Sequence, residues 1–378
     1  MFKNTKMNIL QTESSPNWGG QEYETLLESR ELVKRGHKVI FAINHANTKM
    51  IEMAQTFGLP FYSVYFRNSV DLISMRRIFK IIQKHKINII HCHSPKDHWV
   101  CYPFYRYLNI PILRWRDITL SVPSTWRRSY IYRHGCKYLL VRCEAIKKAF
   151  VKNNKVKPEK IFVIPVGIDL KLFHPNVDGT SIRKEFNIPL DVPLIGIIGM
   201  LRGDKGHKYF IEGANLLLQK NQNVYFLIVG SGIGKETTAK ELKKQVKTLN
   251  LEKRIIFTGY RKDIPQIIAS LNILVLTSIC GEAMSRVIPE ALAMKKPVIG
   301  TTIGGIPEVI QHKKTGILIP PKNSEAVANA IKFLLKHPQK AKEMAERGYE
   351  FVKKNFALSS IIDKIELIQE KALKENIH

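Results

Sequence analysis

Two glutamates, Glu282 and Glu290, stand eight positions apart in the stretch TSICGEAMSRVIPEALAMKKPVIGTTIGGIPE, residues 277–308. Carboxylates accept hydrogen bonds from hydroxyl groups, so a pair flanking a phosphate group suits a phosphorylated sugar. Pro289 has no N–H and is tolerated only in a helix's first turn, which predicts a helix from about Arg286 to about Met294. Glu282 then lies in the loop before that helix, and Glu290 ends its first turn. The free N–H groups and positive dipole end between them would hold a diphosphate, with Glu282 toward a sugar and Glu290 toward a ribose. The bland alternative is two surface glutamates beside an ordinary helix. Context favours the site: an apolar strand at 273–276 precedes it, and a Pro-Val-Ile strand at 297–300 and a Gly304-Gly305 turn follow.

A second constellation, Gly199-Met-Leu-Arg202-Gly-Asp-Lys205-Gly206, follows an expected strand and opens a helix. Its glycines let the backbone approach a phosphate, and Arg202 and Lys205 supply neutralising cations. Such cations stabilise charge on a departing diphosphate, so no divalent metal is expected, and no Asp-x-Asp loop follows a strand. Gly230-Ser-Gly232 and Phe257-Thr-Gly-Tyr260-Arg261 end two further strands, and Trp18-Gly19-Gly20 leads into the first helix. Each of these could be a plain turn. His91 and His93 alternate at a strand end and share one orientation; a metal role would need a third ligand, and none is evident. Arg114 and Arg116 end another apolar segment, before Ser121, Pro123 and Ser124, where they would suit an anionic acceptor or the donor phosphates. Glu144 reads as a simple salt-bridge partner.

The elements that position these residues alternate between strand and helix, which predicts an α/β protein of parallel sheets with crossover helices. Strands are expected at 7–10, 38–43, 87–91, 138–142 and 160–164, and again at 194–198, 225–229, 255–258, 273–276, 297–300 and 316–319. A first helix is expected at about 22–35, and the polar stretch 171–187 reads as the linker. At 378 residues and 44% hydrophobic composition, two domains with their own cores fit. Ligands of such sheets bind beyond the carboxyl ends of the strands, so two facing units would place the site in the cleft between them. The tail at 358–374 repeats apolar residues at helical spacing and should pack.

Composition narrows the partners. The apolar runs are far short of the ~20 residues of a membrane-spanning helix. The basic start is followed by too short an apolar run for a signal peptide. The five cysteines, Cys92, Cys101, Cys136, Cys143 and Cys280, show no C-x-x-C spacing, so a reducing cytoplasm fits and a zinc site does not. The net charge of +28 is concentrated. Between residues 60 and 150 basic residues far outnumber the acids Asp71, Asp97, Asp117 and Glu144, and aromatic residues are interleaved. That pattern suits an anionic membrane or glycolipid surface, single-stranded nucleic acid, or a general lysine-rich bias with solvated charges.

In its order of strand, Glu282, Glu290, strand and glycine turn, the second half resembles the donor signature of the retaining nucleotide-sugar glycosyltransferases of the "glycosyl transferases group 1" family, glycosyltransferase family 4. The resemblance implies a GT-B fold: two Rossmann-like doubly wound parallel-sheet domains facing across a cleft. They would comprise residues 1–175 on the acceptor side and 176–355 for the nucleotide sugar, with a C-terminal helix, 356–378, crossing back to the first. It further implies that Arg202 and Lys205 hold the diphosphate and that Glu282 and the backbone at Ala283, Met284 and Ser285 hold sugar and phosphate. Glu290 would bind the ribose, with Gly199, Gly230 and Gly304 lining the donor and Tyr260 beside the base. His93, with His91 as the alternative, would contact the sugar, and Gly19 and Gly20 the phosphates, from the first domain. The family's usual arginine falls on Met200, so Arg202 would take over; relatives often carry a histidine near Asp117. The implied activity is metal-independent hexosyl transfer from a UDP- or GDP-sugar to a surface-glycan precursor, a lipopolysaccharide core or lipid-linked saccharide, at the cytoplasmic membrane face. A nucleotide-sugar epimerase would need more acids in the first half, a phosphorylase a longer chain, and a nucleic-acid-binding protein leaves the Glu282 segment unexplained.

Overall fold

The computed structural model describes residues 6–117, 125–220, 222–232 and 237–375. The chain divides into two compact units, one made of Met1–Gly167 with Leu358–His378 and the other of Ile168–Ala357.

The first unit runs β1 (Asn8–Glu13), α1 (Gly20–Lys34), β2 (Lys38–Asn44), α2 (Thr48–Thr56), β3 (Phe61–Val64), α3 (Leu72–His85), β4 (Ile89–Cys92), α4 (Pro95–Tyr107), β5 (Ile112–Arg116), α5 (Trp126–His134), β6 (Tyr138–Val141), α6 (Glu144–Asn154) and β7 (Ile161–Val163). Its strands form one parallel sheet in the order β3-β2-β1-β4-β5-β6-β7. Both faces are covered, so the strands are apolar throughout and side chains divide by parity. Ile9, Val39, Phe41, Ile89, Leu113 and Trp115 pack with α1 and α2, whereas Leu10, Ile40, Ala42, Ile90, Cys92 and Ile112 pack with α3 and α4. β3, a short, half-buried edge, goes beyond the expected strands. β5 runs past the apolar segment 111–113, so the arginines of ILRWR lie within the strand and not beyond its end.

The second unit runs α7 (Thr180–Glu185), β8 (Leu194–Ile198), α8 (His207–Leu218), β9 (Tyr225–Val229), α9 (Thr237–Thr248), β10 (Ile255–Gly259), α10 (Ile264–Ser270), β11 (Ile273–Leu276), α11 (Val287–Ala293), β12 (Val298–Thr301), α12 (Ile306–Val309), β13 (Ile317–Ile319), α13 (Ser324–Lys336) and α14 (Pro338–Asn355). Its parallel sheet has the order β10-β9-β8-β11-β12-β13. The expected linker at 171–187 is instead partly structural. α7 buries Arg183, whose guanidinium donates to Ser270 O at 3.0 Å, Pro189 O at 2.8 Å, Val192 O at 2.9 Å and Asn272 Oδ1 at 2.6 Å. A buried arginine that satisfies four acceptors holds a helix too short for an apolar stripe, which is why periodicity misses it.

The tail forms α15 (Leu358–Lys374), a member of the first unit. Leu358, Ile361, Ile362, Ile365, Ile368 and Ala372 complete the core beneath β1, β2 and α1. Arg35 at the end of α1 holds it by donating to Asp363 at 2.6 Å and Glu366 at 2.5 Å.

Candidate active site

In each sheet the chain leaves the first strand on one side and returns on the other, which opens a crevice at the carboxyl ends of the two strands where the order reverses. In the second unit those strands are β8 and β11. The loop after β8 carries Gly199 to Gly206, and the loop after β11 carries residues 277–286, so topology alone brings the two predicted constellations together.

Backbone bonds join the loops. Ile279 N donates to Asp204 O at 2.8 Å, and Thr277 Oγ1 lies 3.1 Å from Lys205 O and 2.9 Å from Gly206 O. Gly206 has φ +68, and a Cβ there would lie 2.1 Å from Thr277 O, so only glycine permits this approach. Within this frame Lys205 Nζ donates to Glu282 Oε2 at 2.6 Å, and Ser278 Oγ donates to the same oxygen at 2.8 Å. Glu282 is only 6% exposed. No protein acceptor takes the N–H groups of Ala283, Met284 or Ser285 among the described residues.

Glu290 lies in α11, whose N-cap is Arg286, matching the start that Pro289 predicts. Arg286 Nη2 is 3.1 Å from Glu290 Oε1. Burial pushes the Glu290 carboxyl above its usual range, against the lowering effect of Arg286. This i,i+4 pair was legible in the sequence but passed over. Arg202 is exposed and its guanidinium grips Asp204, with Nη2 2.6 Å from Oδ2. Gly230 has φ +141, and a Cβ there would lie 2.0 Å from Gly199 O. Gly199 N donates to Val229 O, Leu201 N to Ser231 O and Gly230 N to Gly259 O, each at 2.9 Å, so the turns after β8, β9 and β10 form one main-chain floor. Tyr260 stands at its edge, 61% exposed. Gly304, at φ 56, turns the chain so that Gly305 N reaches Glu282 O at 3.3 Å.

In the first unit the reversal lies between β1 and β4, whose ends carry Gly19-Gly20 and His93. Gly19 is the N-cap of α1, and Gly20 its first residue. His93 is 4% exposed, stacks on Trp115 at 6.1 Å, and has Nε2 2.8 Å from Gln11 Oε1. Its Nδ1 lies 3.3 Å from Thr25 Oγ1, whose proton also reaches Gln21 O at 3.0 Å, so Nδ1 is the less committed nitrogen. Burial lowers the His93 pKa well below the usual histidine value, helped by the nearby His91, Arg114 and Arg142, so the ring is neutral. Burial likewise brings His91 down to about 3.

Arg114 corrects an expectation. It is 1% exposed and donates through Nη1 to Cys92 O at 2.9 Å and Trp115 O at 2.5 Å. It faces the core, because residue 114 has the parity of Ile112 and Ile90. Asp117 pairs with Arg142 Nε at 2.5 Å, and Arg142 Nη1 also reaches Glu28 at 2.9 Å. Ser121, Pro123 and Ser124 lie outside the described residues.

Sequence reading missed a buried acid cluster beside Gly19. Glu13 accepts from Ser94 Oγ at 2.5 Å, Gln21 Nε2 at 2.7 Å and Ser15 N at 2.7 Å. Burial, then the neighbouring Asp97 and Glu22, push the Glu13 carboxyl up to about 8. Asp97 takes Thr12 Oγ1 at 2.8 Å and Ser14 Oγ at 3.0 Å. Only the capping pattern Ser94-x-x-Asp97 signalled any of it.

Two doubly wound parallel-sheet units, one with a paired lysine and glutamate where the loops after β8 and β11 meet, define an α/β architecture whose ligand crevices lie at the switch points. Residues 178–351 match the family "Glycosyl transferases group 1", and residues 18–172 match "Glycosyltransferase Family 4". The chain belongs to this glycosyltransferase family and has its GT-B fold. It is 26% identical to the N-acetyl-alpha-D-glucosaminyl L-malate synthase of Bacillus anthracis, across 96% of each chain. It is 28% identical to the UDP-Gal:alpha-D-GlcNAc-diphosphoundecaprenol alpha-1,3-galactosyltransferase of Escherichia coli, across 69% of this chain and 70% of that one. The crystal structure of a glycosyltransferase from Rickettsia africae ESF-5 superposes with a TM-score of 0.90 at 26% identity, covering 98% of this chain and 99% of that one.

Proposed function

We propose that the enzyme moves a sugar from a nucleotide-diphosphate donor to an acceptor hydroxyl, with retention at the anomeric carbon and without a metal ion. The observation that carries this reading is the 2.6 Å contact between Lys205 Nζ and Glu282 Oε2. A cation and a hydroxyl acceptor are held as a pair where two loops meet, and a sugar diphosphate gives each a separate partner: phosphate for Lys205, sugar hydroxyls for Glu282. The N–H groups of residues 283–285 add donors to the phosphate. Glu290 takes the ribose hydroxyls, and Arg202 adds a cation when it leaves Asp204. Gly199, Gly230 and Gly304 let main chain approach the donor, and Tyr260 borders the base. In the first unit, His93 acts on the sugar through Nδ1, and Gly19 and Gly20 offer backbone to phosphate.

As the C–O bond to the diphosphate breaks, the acceptor oxygen bonds the anomeric carbon from the same face and its proton passes to the departing phosphate oxygen. Charge builds on that phosphate, and Lys205 is placed to stabilise it. A uridine or guanosine diphosphate sugar is the donor class, and the UDP-galactose named for the Escherichia coli relative favours uridine. The acceptor is a surface-glycan precursor, a lipopolysaccharide core or lipid-linked saccharide. The diphosphoundecaprenol-linked acceptor of the same relative supports the second. Such an acceptor places the enzyme at the cytoplasmic membrane face.

A thermal-shift panel of uridine, guanosine and adenosine diphosphates, free and sugar-linked, tests the donor, since a ligand that binds only the folded state raises the melting temperature. Glu282→Ala and Lys205→Ala, folded by circular dichroism, should lose transfer and donor hydrolysis. Full activity in both variants, or melting that ignores the whole panel, rejects the reading.

A further inference from the structure

The acids between residues 60 and 150 are fewer at the surface than in the sequence. Asp71 is buried and caps α3, accepting from Ser74 N at 3.1 Å. Asp97 is 0% exposed, and Asp117 is tied to Arg142. Glu144 is the one exposed acid among the described residues of this region, whereas Arg67, Arg76, Arg77, Lys80, Lys84, Arg127 and Arg128 are all exposed. The bulk charge of the sequence thus becomes a nearly pure cationic surface.

Apolar side chains lie on the same surface. α3 turns Ile78, Ile81 and Ile82 inward, as an amphipathic helix should, yet Leu72 is 72% and Ile73 64% exposed. With Arg76, Arg77, Lys80 and Lys84 they form the spacing i, i+1, i+4, i+5, i+8, i+12: one outward stripe with an apolar tip and a cationic shaft. Val70, just before the helix, is 73% exposed. Phe79 of α3 stacks on Phe104 of α4 at 6.2 Å, and Tyr102 of α4 meets Tyr130 of α5 at 3.2 Å between hydroxyls, so the three helices form one layer. At the start of α5, Trp126 is 72% exposed, with the Arg127 guanidinium 5.5 Å from its ring.

We propose that this α3–α5 face docks on an anionic lipid bilayer. Leu72, Ile73 and Trp126 enter the headgroup layer while Arg76, Arg77, Lys80, Arg127 and Arg128 meet its phosphates. Apolar tips beside basic side chains are what an interfacial element needs: cations bring the surface to the lipid, and apolar and indole groups hold it there. A single-stranded nucleic acid would also meet the cations, but its bases stack on aromatic rings and leave the exposed aliphatic Leu72 and Ile73 without a matching partner. No described helix is long and apolar enough to cross a membrane. The docking face stands independently of the donor site, and its test needs no turnover.

The test is co-sedimentation of the full chain with vesicles of phosphatidylcholine, alone or mixed equally with phosphatidylglycerol. The expected result is binding to the anionic vesicles that weakens with salt. Arg76→Glu/Arg77→Glu should weaken it about a hundredfold or more, and Leu72→Ser/Ile73→Ser about tenfold. Lys243→Glu/Lys247→Glu, the same charge change on exposed positions of α9, should change it less than about threefold. An unaltered urea midpoint confirms that each variant is folded. Absence of vesicle binding, equal binding to both vesicle types, an equal loss in the α9 variant, or full binding after Leu72→Ser/Ile73→Ser overturns the proposal.

Discussion

Gln369 of α15 and His91 of β4 meet at 3.0 Å inside the first unit, and the direction of that hydrogen bond follows from a third residue. Trp115 Nε1–H, which can only donate, gives its proton to His91 Nδ1 at 3.1 Å. The neutral ring therefore carries its hydrogen on Nε2, and because the atom of Gln369 that stands at 3.0 Å is assigned as the amide nitrogen, which cannot accept, the amide is turned over so that its carbonyl oxygen takes that proton. Trp115 thus fixes the tautomer of a histidine two positions before His93 and contacts both rings, and Gln369 of the last helix meets the protonated nitrogen. Gln369→Leu leaves the His91 Nε2–H buried without an acceptor and should cost about 1–3 kcal/mol. Urea unfolding measures this, and an unchanged midpoint would contradict the assignment.

The grip of Asp204 on Arg202 competes with any phosphate for the same guanidinium. Exposed pairs contribute little, about 0.2–1 kcal/mol. Asp204→Asn should therefore tighten donor binding up to about fivefold, and Arg202→Ala should weaken it. Calorimetric titration with the donor decides: if Arg202→Ala leaves affinity unaltered, the cation of this loop is Lys205 alone.

Gly199 and Gly230 face each other in the floor but differ in tolerance. Gly230→Ala places a Cβ 2.0 Å from Gly199 O at a backbone angle that L-residues avoid, whereas Gly199 has open space around its Cβ position. The first variant should lose more than about 2 kcal/mol of stability or fail to fold. Gly199→Ala should fold normally and lose donor affinity, because its methyl occupies space proposed for phosphate. Equal melting temperatures for the two variants would refute this contrast.

Glu13 at about 8 and Glu22 at about 7, both raised chiefly by burial, make the first unit pH-sensitive. The folded state holds these protons after the unfolded chain has released them near pH 4.5. Stability should thus fall as pH rises from about 5 to 8, with a slope of at most about 1.4 kcal/mol per unit for each proton, and level off above. Glu13→Gln should flatten its share of that slope, read by denaturation at several pH values. A wild-type stability that climbs from pH 5 to 8 would rule the cluster out as its main determinant.

The second unit was more legible than the first for a physical reason. Its candidate groups lie on loops marked by glycine and proline, whose backbone demands are local: Pro289 alone dates the start of α11, and Gly206 and Gly230 mark where chains must touch. In the first unit the decisive facts depend on side-chain direction and on partners remote in sequence. Arg114 looks like a strand-end cation until strand parity turns it inward. Glu13 and Asp97 are separated by eighty-odd residues, and no local pattern joins them. Likewise, nothing near His91 announces Gln369.

The same α15 makes the first unit discontinuous in the chain. Ile9 and Leu26 share a core with Ile361 and Ile365, so this unit lacks part of its core until α15 has been synthesised. The second unit, continuous from Ile168 to Ala357, has its whole sequence available earlier. The unit that holds the earlier strands is therefore the one whose core sequence is completed later.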